Sequence, residues 1–82
     1  MQLPIVDGCS VIALTPVRAY SDNYIVILED YDTSARSMVW IVVTLKADDT
    51  IERDTRRRFG TLQKALDEYA ERVSSAARIA RR

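Results

Sequence analysis

The stretch "RDTRRRFG", Arg53 to Gly60, places four guanidinium groups within eight residues of an 82-residue chain whose twelve bases and twelve acids cancel. Arg53, Arg56, Arg57 and Arg58 have two chemistries open to them. They can neutralise phosphates, which makes binding steeply salt-dependent. They can also dock on a protein, because a planar cation tolerates burial in an interface. Carboxylates cluster in "EDYD" (Glu29, Asp30, Asp32) and at Asp48 and Asp49. Oxygen ligands of this kind can hold magnesium, yet both clusters fall at predicted turns, where Asp is favoured for backbone reasons alone.

The remaining inventory argues against catalysis. The chain has no histidine, hence no common general base near neutral pH and no imidazole ligand. Serine or cysteine nucleophiles therefore lack their usual activating partner. A single Cys9 can neither form an internal disulfide nor complete a zinc site. Gly8 and Gly60 are too far apart to make a phosphate loop. No enzyme activity, no cofactor and no metal are expected.

Zero net charge conceals a division. Residues 1–52 carry eight acids against three bases, and residues 53–82 carry nine bases against four acids. Such asymmetry can orient the chain against a charged partner or a second copy. The isoelectric point near 6.2 and the placing of Trp40 among aliphatics, rather than on a stacking platform, weaken the nucleic-acid reading.

The elements that position these residues follow from period and punctuation. One domain is expected over 1–82, with an N-terminal arm at 1–10, an antiparallel sheet at 11–59 and a helix at 61–80. "VIALTPVRAY" reads as an edge strand because Pro16 lacks a backbone donor. "SDN" at Ser21 to Asn23 turns the chain. The runs "NYIVILEDY" and "SMVWIVVTLK" then form two strands joined by "DTSA". "TIERDTRRRF" is a possible fourth, with Ile51, Arg53, Thr55, Arg57 and Phe59 on one side. From Thr61 the period becomes helical, with Leu62, Leu66, Tyr69, Val73 and Ala76 or Ala77 in one stripe and Thr61 as N-cap. The expected fold is α+β: a three- to four-stranded antiparallel meander, β-β-β-(β)-α, with one amphipathic helix on one face.

The strand Ser37 to Lys46 is apolar on both sides, with Met38, Trp40 and Val42 on one and Val39, Ile41, Val43 and Leu45 on the other. One helix covers one side. The other is expected to leave several hundred Å2 of apolar surface, to be covered in part by the N-terminal arm folding back or wholly by a second copy or a larger partner, with Trp40 and Val42 as its candidates and the arginines as its rim. The core residues expected are Ile25, Ile27, Val39, Ile41, Val43, Leu45, Leu62, Leu66, Tyr69 and Val73.

The segment "FGTLQKALDEYAERV", Phe59 to Val73, resembles the Gly-x-Thr-x-x-x-Ala-Leu helix opening of small β-β-β-α domains, the HicB-type antitoxins among them. Here Thr61 follows Gly60 directly and Lys64 stands where an acid is common. The expected function is non-enzymatic protein binding by a small inhibitor or adaptor of antitoxin, anti-defence or anti-CRISPR type, encoded on a mobile element. A homodimer and a larger protein partner are expected, with nucleic-acid binding through Arg53 to Arg58 as the alternative. No run approaches the roughly 20 apolar residues that span a bilayer, and Pro4 and Asp7 interrupt the start as a signal peptide. The expected location is the cytoplasm, without a membrane partner.

Overall fold

A computed structural model describes residues 5–6, 8–17, 23–46, 48 and 50–80. Residues 1–4 and Asp7 of the expected arm, residues 18–20 of the first expected strand, residues 21–22 of the first turn, Ala47, Asp49 and the terminal Arg81 and Arg82 lie outside them. The described chain forms β1 (Ile5–Val6), β2 (Cys9–Val17), β3 (Asn23–Asp32), β4 (Ser37–Leu45), β5 (Ile51–Phe59) and α1 (Leu62–Ala80). The strands lie side by side in chain order, every neighbour antiparallel.

The class is α+β as expected, but the sheet has five strands rather than three or four. The extra strand lies inside the expected arm. Gly8, at φ 77°, turns the chain so that Val6 comes opposite Cys9, a left-handed conformation that glycine takes without the Cβ clash of other residues. Two residues are too few to show a period. At the β3–β4 turn Asp32 Oδ1 accepts the amides of Ser34 and Ala35 at 2.9 and 3.2 Å, and Arg36 closes the turn at φ 53°. The turn expected at "DTSA" is thus made by an Asp that bonds its own backbone, one reason Asp is favoured in turns.

Register places Ile25, Ile27 and Val42 on the side that takes α1, beneath Ala65, with Trp40, Phe59, Tyr69, Val73 and Ala76 packed around them. The Thr15 and Tyr69 hydroxyls hydrogen-bond between β2 and the helix. Trp40 and Val42 are therefore on the helix-covered face, which corrects their expected place on a partner-covered one. On the other face Val6, Cys9, Val11, Val26, Leu28, Ile41, Val43 and Leu45 form a second cluster, none more than 7% exposed. This overturns the expectation of a bare apolar face. The sheet is curled, with register shifts at Val11/Ala13 on β2 and at Val42/Thr44 against β5, and bulges bend and coil the strands that carry them.

The second shift is large. Val42 pairs with Arg57 and Thr44 with Glu52, so residues 53–56 stand opposite Val43 alone. Thr55 makes this possible. Its hydroxyl accepts the Thr44 amide at 2.9 Å and donates to the Glu52 carbonyl at 2.6 Å. The regular alternation expected along β5 is consequently broken: Ile51 packs with the helix-free cluster and Phe59 with the helix side.

The helix begins where the sequence placed it. Thr61 Oγ1 accepts the Lys64 amide at 3.3 Å, and Thr61→Ala is expected to lower stability by about 0.5–1 kcal/mol, read as a reduced urea midpoint at unchanged slope. Its buried stripe is rotated from the expected one. Ala65 is fully buried, whereas Leu62 and Leu66 are 38% and 41% exposed. The small Ala65 side chain lets the helix axis sit close over Ile27 and Val42, where a leucine would hold it off.

Candidate interaction site

The strand β5 is an outer strand of the sheet, and its bulge decides where each arginine goes. Arg57, opposite Val42, lies on the helix side, where Nη1 donates to Glu68 Oε1 at 3.3 Å and the guanidinium sits 5.4 Å from the Phe59 ring centroid. Arg58, opposite Ile41, lies on the other side and reaches across β4 to pair with Asp32. The expected cluster is thus divided between two faces. Arg53 and Arg56, in the bulge, are exposed and make no ion pair among the described residues.

Arg56 and Arg58 do meet a concave surface. On the helix-free side they flank an open cleft of about 270 Å3 with Asp30 and Asp32 across from them and Val39 and Ile41 in its lining. Arg58 and Asp32 neutralise each other, and Arg56 and Asp30, which also line this cleft, have no ion pair among the described residues. The two acids were visible in "EDYD", but their position opposite the arginines depends on the β3–β4–β5 register, which no spacing in the sequence reports.

Trp40 is tied down in place. It lies half-buried with Phe59 and Glu29 as its cross-strand neighbours, and its Nε1 donates to Glu29 Oε2 at 3.0 Å. Val42 is fully buried, so nothing outside the chain touches it while the helix is docked. The described residues hold no grouping of His, Cys, Asp and Glu that could ligate a metal, and no helix among them is long and apolar enough to cross a membrane. In comparisons with protein-family models, with curated proteins and with solved structures, the chain matches none of them.

Proposed function

We propose that the protein is a non-enzymatic protein-binding module, a small inhibitor or adaptor, that presents the bulge of β5 and the adjoining cleft to an acidic surface of a larger protein. The observation that carries this reading is the division of the arginine cluster. Arg57 and Arg58 are occupied by Glu68 and Asp32, while Arg53 and Arg56 stand exposed on an edge strand and without an ion pair among the described residues. Free guanidinium groups beside a partly apolar cleft suit the polar rim of a protein interface. Asp30, Asp32 and Asp54 standing among the arginines oppose a continuous phosphate backbone and disfavour nucleic acid. A homodimer loses the feature that suggested it, since the face it was to cover is filled within one chain.

The double variant Arg53→Glu/Arg56→Glu tests the proposal. Both side chains are exposed and make no ion pair among the described residues, so the variant should match the parent within about 0.5 kcal/mol of stability. Capture of a stoichiometric protein from nuclease-treated extract should fall at least tenfold and lose most of its salt dependence. Retained capture by the variant, or a bound species removed by nuclease, would sink the proposal.

A further inference from the structure

Asp32 uses its two oxygens for separate contacts. Its Oδ1 accepts the amides of Ser34 and Ala35 and so builds the β3–β4 turn, while its Oδ2 pairs with Arg58 at the helix-free cleft. The turn does not need the ion pair. The side chain of Arg58 is 54% exposed and that of Asp32 only 19%, so an incoming group can reach the guanidinium while the carboxylate stays largely covered. Breaking a pair this exposed costs no more than about fivefold in an equilibrium. The pair on the helix side differs, because Glu68 holds Arg57 at 3.3 Å and Arg72 at 2.7 Å and stays tied by Arg72 when Arg57 is taken.

Arg56 and Arg58 line one cleft, where Asp30 and Asp32 offset their charge. The free chain therefore presents no net charge there to attract an anion. With Asp32 displaced, two guanidinium groups face one carboxylate, and guanidinium is the cation that holds carboxylates by paired hydrogen bonds. On the protein-binding reading above, we infer that Asp32 is a built-in competitor: it occupies Arg58 in the free chain and yields it to a carboxylate side chain of an acidic partner segment, which Arg56 and Arg58 then hold together. The contact sets a threshold. A lone carboxylate is opposed by Asp30 and Asp32, whereas a segment carrying several is drawn in by Arg53 and Arg56 and can then displace one exposed pair.

The test measures binding of a fluorescein-labelled oligo-L-glutamate peptide to the full chain by anisotropy at low salt. Asp32→Asn is expected to tighten binding about threefold or more, because the amide keeps an Oδ1 acceptor for the turn and releases Arg58. Asp30→Asn changes the cleft charge equally but breaks no ion pair among the described residues, and should gain clearly less. In an Arg58→Gln background the gain from Asp32→Asn should shrink to that of Asp30→Asn. In the parent chain, which needs no variant to fold, the Arg58 guanidinium resonance should shift on saturation while the Ser34 and Ala35 amides hold their positions. The inference is overturned if Asp30→Asn gains as much as Asp32→Asn, if the gain is undiminished in the Arg58→Gln background, or if the Arg58 resonance does not move. Those results leave the protein-binding reading standing. Peptide binding retained by Arg53→Glu/Arg56→Glu, or none by the parent chain, would instead remove that reading and the inference with it.

Discussion

Val42→Asp is expected to abolish the cooperative fold. Val42 is fully exposed to neighbours and not at all to water: Ile27 lies opposite on β3, Arg57 on β5, and Ala65 packs into the same cluster. An ionised carboxylate there has no partner, since the guanidinium of Arg57 is directed to Glu68. The cost of burying an unpaired charge runs to several kcal/mol, against a total stability of roughly 5–10 kcal/mol for a domain of this size. Circular dichroism should show loss of the sharp thermal transition. A folded variant that had merely lost a binding partner would return Val42 to an interface.

Leu28→Ala, on the opposite face, should cost about 2–5 kcal/mol, the range for truncating a fully buried leucine. The important feature of the result is its independence of protein concentration. Leu28 is 1% exposed within a single chain, in a cluster with Val26, Ile41 and Val43. If a second copy supplied that burial, the urea midpoint of parent and variant would rise with concentration by mass action. A midpoint that stays constant from low to high micromolar protein supports a self-sufficient core. A rising one would restore the homodimer.

The strands β3 and β4 were legible because they are long, apolar on both sides and punctuated by turn residues. Both of their faces are apolar and both are buried within one chain, an outcome that a pattern of apolar residues does not report because it carries no measure of how far a sheet will curl. The strand β1 escaped because Ile5 and Val6 show no period, although Asp7-Gly8 is a recognised hairpin signal. The helix boundary was set by Thr61, a local cap. Its buried face lies a fraction of a turn from the stripe that the leucines mark, because Leu62 and Leu66 carry more apolar weight than Ala65 while close approach favours the smaller side chain.

The sites divide in the same way. Arginine density on β5 was plain, but the separation of Arg57 from Arg58, and of both from Arg53 and Arg56, depends on a bulge held by one hydroxyl at Thr55. The ion pair of Arg58 with Asp32 joins β5 to β3 across β4. Only pairing register brings them together, so no local motif could announce it.

The identity of strand order and chain order has a kinetic consequence. Every ladder joins neighbours in sequence, so the sheet can assemble hairpin by hairpin with little loop-closure entropy, a topology associated with rapid folding. The helix follows the sheet in the chain and leaves the ribosome after it. Until it does, the strip around Ile27 and Val42 lacks the cover that α1 gives it, and a chain truncated near Gly60 would expose that strip to other chains.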